Sequence, residues 1–167
     1  MKNALFIGRF QPFHSGHLSV LQALGRLGYD QIIIGIGSAQ YRRTLDNPLS
    51  LAEREQSLHT VLIGRKDIPS WVTVAIPDVN DDDHWVDHVD AIVKTKVSAY
   101  TATYTGNDWV KRLFEAAGKS VQPVEKKIMI DGTTIREHIV RNNPVWRNYV
   151  DHRIQRLIEQ ATRASHD

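Results

Sequence analysis

"NALFIGRFQPFHSGHL", Asn3 to Leu18, is the stretch that decides how this chain folds. Its apolar opening, "NALFIG", reads as a strand. Its end runs into "HLSVLQALGRLG", where Leu18, Leu21, Leu24 and Leu27 recur at helical spacing up to Gly28. Between the two lies a loop. A turn needs Gly8 and Pro12, but it does not need Arg9, His14 and His17 as well. A loop that leaves a strand and enters a helix faces unpaired N–H groups and a partial positive charge, which attract phosphate. His17 falls at that helix start and His14 one turn before it, each able to donate to a phosphate oxygen. Arg9 adds a permanent charge on a planar fork. The plainer alternative makes both histidines exposed turn residues. A zinc site at His14 and His17 lacks the third ligand it needs.

The pattern continues outward from this unit. "QIIIGIG" reads as a second, fully buried strand. "SLAEREQSLHTVLIG" reads as a helix opened by Ser50 and Glu53 in capping-box register and closed at Gly64. "WVTVAI", "AYTATYTG" and "SVQPVE" read as further strands. "HWVDHVDAIVKT" and "NDWVKRLFEAAG" (Asn107 to Gly118) read as helices. "TTIREHIVRN" predicts a helix begun by Thr133 or Thr134 and stopped near Asn143-Pro144, with a last helix from about Tyr149 to Arg163. Strand–helix alternation of this kind implies a Rossmann-like α/β fold, a parallel sheet with helices on both faces, and ligands at the carboxyl ends of strands. Without repeats or linkers, residues 1–167 are expected to form a single domain with a C-terminal helical segment at about 144–163.

Composition sets the outer limits. A chain of 167 residues, 41% hydrophobic and 24% charged, can bury an ordinary core. Net charge of +2 without a basic tract argues for phosphate-bearing ligands rather than nucleic acid. The absence of cysteine excludes disulfides and thiolate metal sites. No apolar run approaches the roughly 20 residues of a membrane span. With no secretory leader pattern either, a cytoplasmic location is expected.

The loop is also a signature. "GRFQPFHSGH" is similar to the HxGH motif of the nucleotidylyltransferase superfamily, and its "GRFQPFH" form resembles the archaeal-type nicotinamide mononucleotide adenylyltransferases. Other branches carry Asp where this chain has Gln11. The superfamily's second motif, usually "ISGTxIR", is matched by "MIDGTTIR", Met129 to Arg136, with Asp131 in place of Ser. "IGIGSAQYRR" resembles the family's "IGSAQ" segment and "TGND" its "SGN".

The resemblance implies adenylyl transfer from ATP to nicotinamide mononucleotide, with Mg²⁺ held mainly through the ATP phosphates and no protein metal ligands. It implies catalytic roles for His14, His17, Arg9 and Arg136. Nucleotide-binding roles follow for Gly8, Phe10, Gln11, Gly37, Ser38, Gln40, Gly106, Asn107, Gly132, Thr133 and Thr134, with Arg42 or Arg43 within reach of phosphate. In "IPDVNDDDHWVDHV", Trp85 is expected to stack on the pyridinium ring and Asn80 to meet the carboxamide. The competing reading buries Trp85 in its helix's core. Asp81, Asp82, Asp83 and His84 read as a solvated loop, and Asp131 has no settled role. Expected partners are ATP and the mononucleotide, with no nucleic acid or membrane. A homo-oligomer is the common state of such relatives. Two alternatives stay open: a sister enzyme using nicotinic acid mononucleotide or another small phosphate, and a non-catalytic nucleotide sensor.

Overall fold

A computed structural model describes residues 1–124 and 127–167. In chain order the elements are β1 (Asn3–Gly8), α1 (Ser15–Arg26), β2 (Gln31–Gly37), α2 (Leu51–Leu62), β3 (Ser70–Ile76), α3 (Trp85–Lys94), β4 (Ala102–Thr105), α4 (Asp108–Ala116), α5 (Gly132–Val140) and α6 (Gln155–Ala164). Short 3-10 turns occupy Asp82–His84 and Pro144–Tyr149. The glycines expected to close three helices, Gly28, Gly64 and Gly118, all take positive φ. By contact the chain divides into two compact units, each assembled from separated stretches. The first takes residues 1–9, 22–39 and 67–124; the second takes residues 10–21, 40–66 and 127–167.

The first unit contains the sheet. Its four parallel strands run in the order β3-β2-β1-β4. Ile7 of β1 stands beside Gly35 of β2 and Thr105 of β4. Three successive strands step one way and the fourth returns to the far side of β1, so the order reverses between β1 and β4. Ligands of such sheets bind at the carboxyl edge of that reversal, which is here the ends of β1 and β4. One sheet face, with Leu5, Ile7, Ile33, Val74 and Ile76, packs on Trp85, Val86, Val89 and Val93 of α3 and on Val110 and Phe114 of α4. Ala4, Phe6, Ile32, Ile34 and Ile36 are buried as well. Both faces are therefore covered, as parallel sheets require. Each fully buried Val, Leu, Ile or Phe among them contributes about 1.5–3 kcal/mol.

At the amino end of β4, Tyr100 donates to Asp90 at 2.5 Å, and Lys119 pairs with the same carboxylate. Burial, then Asp90, pushes the Tyr100 phenol well above its ordinary range. These three residues line a cavity of about 320 Å³ to which none of the expected site residues contributes.

"SVQPVE" does not become a fifth strand. Val121 forms one isolated bridge with Thr103, and Gln122 donates its N–H to the Thr103 carbonyl at 2.8 Å. Pro123 then has no N–H to continue a ladder. Glu125 lies outside the described residues.

The second unit is helical. Ser50 caps α2 through the Glu53 N–H at 3.2 Å, and Glu53 answers by accepting from the Ser50 N–H at 2.8 Å, completing the expected box. Leu58, Val61 and Leu62 form the buried face of α2. α5 packs on α6 and on the Pro144–Tyr149 turn. It begins at Gly132, one residue before the expected start, because Asp131 is its cap. α6 begins later than predicted, at Gln155 rather than near Tyr149. Val150 is extended, and the Gln155 side chain donates back to its carbonyl at 2.9 Å, which halts helix growth toward the N-terminus.

Candidate active site

In the second unit, His14 stands at the cap position of α1, its carbonyl accepting from the Leu18 N–H at 3.1 Å. Its Nδ1 accepts the N–H groups of Gly16 at 3.1 Å and His17 at 3.4 Å. The Nδ1 of His17 accepts the His14 N–H at 3.3 Å. This is the reciprocal arrangement of a capping box, built from two imidazoles instead of Ser and Glu. It has a chemical consequence: a ring nitrogen that accepts an N–H cannot carry its own proton, so each proton sits on Nε2. Both rings are thereby set as Nε2–H donors by the backbone itself.

The rings stack at 3.7 Å between centroids. Phe13, stacked at 5.7 Å, and Phe10, edge-on at 4.8 Å, hold His17 further. Phe10 is buried with φ of 53°, a region aromatic residues rarely adopt. Gly16 is required by close approach: a Cβ there would lie 2.9 Å from the His14 ring.

The start of α5 lies against this loop. Buried Arg136 donates from Nη1 to the Gln11 carbonyl at 2.7 Å and from Nη2 to Thr133 Oγ1 at 3.2 Å. A Cβ on Gly132 would stand 2.7 Å from the same Gln11 oxygen, so only glycine permits the approach. Asp131 Oδ1 accepts the Thr134 N–H at 2.8 Å. Its substitution for Ser is thus a change of one good cap for another. The Thr134 N–H, expected on phosphate, is committed to that cap. Gly132 and Thr133 supply the remaining N–H groups of the first turn, which have no intrahelical acceptor.

Two other expectations in this unit are corrected. Gln11 is buried, and both ends of its amide are used by the Leu49 backbone, at 2.8 and 2.9 Å. Its side chain fastens the segment leading into α2. Arg43 forks onto both Glu53 oxygens at 2.6 and 2.8 Å and donates to the Pro48 carbonyl at 2.7 Å, so it belongs to the α2 cap. That hydrogen bond, aided by the Ser50 backbone, holds the Glu53 carboxyl below its ordinary value and raises the Arg43 guanidinium. Gln40 and Arg42 are exposed on the same stretch. Sequence reading passed over Asp46, whose Oδ1 lies 3.5 Å from Arg136 Nη2. Nothing local to "TLDNP" marks it; only the folded contact does.

In the first unit the remaining residues gather at strand ends. Gly8 ends β1 and Arg9 follows it, Gly37 ends β2 and Ser38 follows it, and Gly106 and Asn107 follow β4. Thr105 donates to the Ile7 carbonyl at 3.0 Å and accepts from the Asn107 N–H at 3.1 Å. Asn107 Oδ1 caps α4 by accepting the N–H groups of Trp109 and Val110. Ser38, at φ of 48°, donates to Asp78 at 2.8 Å. Asn80 is exposed at φ of 36°.

Trp85 is buried. It is 2% exposed and packs on Trp109 at 5.1 Å and Phe114 at 6.2 Å between centroids. This is the burial that the core reading expects. α3 starts at Trp85 itself, so its first turn points the indole inward with Val86 and Val89. Asp81 to His84 are exposed, and the Asp81 carboxylate raises the His84 imidazole. Among the described residues no three His, Cys, Asp or Glu side chains converge on a metal position. No helix there is long and apolar enough to cross a membrane.

The second unit therefore juxtaposes two Nε2–H donors, a buried guanidinium, a hydroxyl and a helix start. This set suits an oligophosphate. Comparison with known proteins points the same way. Residues 5–142 match the family described as cytidylyltransferase-like. The chain is 35% identical over 164 residues to the nicotinamide-nucleotide adenylyltransferase of Pyrococcus furiosus, covering 96% of this chain and 84% of that one. It is 37% identical over 161 residues to the enzyme of the same name from Thermoplasma acidophilum, covering 95% and 86%. Among solved structures, a bifunctional NMN adenylyltransferase/ADP ribose pyrophosphatase from Francisella tularensis, complexed with AMP and a manganese ion, superposes with a TM-score of 0.67 at 22% identity. That match covers 97% of this chain and 51% of the other, about half its length. The nicotinic acid mononucleotide adenylyltransferase of Plasmodium falciparum, complexed with NaAD, gives 0.64 at 12% identity, covering 100% and 99%. At such identities the structural likeness speaks for the fold.

Proposed function

This chain belongs to the cytidylyltransferase-like family, and from that premise we propose that it transfers the adenylyl group of ATP to nicotinamide mononucleotide, forming NAD and pyrophosphate. The observation that carries the reading is the imidazole cap of α1 lying against the start of α5, with Gln11 between them. The names of the archaeal relatives supply the acceptor.

The reaction needs no covalent intermediate. A 5′-phosphate oxygen of the mononucleotide attacks the α-phosphorus of ATP, the bond from that phosphorus to the bridging oxygen breaks, and pyrophosphate leaves with the electron pair. The protein contributes position and charge. His14 and His17 donate their Nε2–H groups to phosphate oxygens on which charge builds. Arg136, with the Thr133 hydroxyl and the first N–H groups of α5, holds the leaving phosphates, and Arg9 adds a further cation. Gln11 and Gly132 act by position, setting the guanidinium and letting the helix start approach. Asn80 is assigned to the carboxamide. A divalent cation, taken here as Mg²⁺, neutralises phosphate charge when bound.

The test is to incubate the purified protein with ATP and Mg²⁺, offering nicotinamide and nicotinic acid mononucleotide separately. NAD formation is expected. Preference for the acid overturns the acceptor, and no product from either overturns the enzyme.

A further inference from the structure

Asp46 and Arg136 form an unequal pair. The Arg136 side chain is 6% exposed and the Asp46 side chain 79%. The guanidinium cannot turn to follow a partner, because the Gln11 carbonyl and the Thr133 hydroxyl fix it. A buried cation of this kind requires an anion beside it. Asp46 supplies one, but at 3.5 Å, longer than the 2.7–2.9 Å of a good charge-assisted hydrogen bond. The carboxylate is nevertheless delivered deliberately. Thr44 donates its N–H to the Asn47 carbonyl at 3.2 Å, and Asn47 donates to Thr44 Oγ1 at 3.0 Å, closing a turn with Asp46 inside it. Arg43, on one side of that turn, is clamped to Glu53 and to the Pro48 carbonyl on the other side.

We infer that Asp46 is an internal competitor for the nucleotide: its carboxylate occupies, on the Arg136 guanidinium, the place of a phosphate oxygen, and so sets how tightly ATP and pyrophosphate are held. The inference rests on the adenylyl-transfer reading, in which Arg136 meets the leaving phosphates. An arriving triphosphate brings several negative charges toward a carboxylate that can swing into water without unpacking anything. A lone exposed carboxylate makes a poor cation cage. A purely structural ion pair with so exposed a partner contributes little.

Asp46→Asn keeps the shape and removes the charge. Its KM for ATP is expected to fall about threefold to fivefold at low salt, the scale of one partly exposed ion pair. The inhibition constant of pyrophosphate should fall in parallel while kcat stays within twofold. Asp46→Glu, which keeps a carboxylate, should stay near wild type, and the difference between Asn and wild type should shrink at about 0.5 M salt. Unchanged KM in Asp46→Asn overturns the inference. So does a raised KM with a greater Mg²⁺ requirement, which would make Asp46 a cation ligand. Calorimetric binding of pyrophosphate to both proteins needs no turnover. If wild type makes no dinucleotide, the adenylyl-transfer reading fails, while the pyrophosphate comparison still decides the role of Asp46.

Discussion

The starts of α1 and α5 are both capped helix ends within the second unit, yet they divide their work differently. At α1 the capping groups are the imidazoles themselves: the bonds that end the helix also fix the protons on Nε2. At α5 the cap is Asp131, and the groups proposed to meet phosphate, Thr133 and Arg136, are other residues. Fold and chemistry are fused in one place and separable in the other. The physical difference lies in the donor set. An imidazole carries a second ring nitrogen besides the one that caps, whereas the Asp131 carboxylate serves by turning toward the helix.

The contrast can be broken most readily at His17. His17→Ala should lower kcat about 10²- to 10³-fold, the scale of one transition-state donor. It should also lower stability by about 1 kcal/mol, since the His14 N–H loses its acceptor. Near-wild-type turnover would end the assignment. Gly16→Ala comes next. Its Cβ would press on the His14 ring at 2.9 Å, and displacement of that ring should lower kcat/KM about 10²-fold, with about 1–3 kcal/mol of destabilisation. An unaffected rate would mean that the ring is not held where it matters. Asp131→Ala sharpens the other side: about 1 kcal/mol lost, read as a Tm drop of about 2–4 °C, with kcat within twofold and Asp131→Ser close to wild type. Loss of turnover as severe as in His17→Ala would erase the distinction between the two ends.

The smallest effect tests the cap of α2. Glu53 titrates below its ordinary 4.5 in the folded state because Arg43 donates to it. A depressed carboxyl stabilises fully above its unfolded value and loses that contribution as pH falls through the folded one. The wild-type Tm should therefore decline below about pH 4.5 more steeply than that of Glu53→Gln, by at most about 1 kcal/mol for so exposed a pair. Parallel curves would remove Glu53 from the account.

Legibility followed the range of the interactions. β1, β2 and the capping box of α2 were readable because their signals are local: an apolar run between breakers, or Ser and Glu three apart. "SVQPVE" misled because β-like composition does not say whether a neighbouring edge will pair with it, and Val121 found only a single bridge. Trp85 was ambiguous because an indole behind a polar loop suits a ligand and a core equally. Which way it faces depends on where α3 begins.

What the sequence alone determined was the order of strands and helices from β1 to α4, the two motifs, and the residue types capable of holding phosphate. Those follow from backbone propensity and side-chain chemistry, which need no partner. Only the tertiary structure decided that Gln11 serves Leu49 and Arg136, partners 38 and 125 residues away. It also decided that Arg43 serves Glu53, and that Asp46 stands before the buried guanidinium. Each of those outcomes turns on which polar groups the folded chain brings within reach of one another, which local sequence does not state.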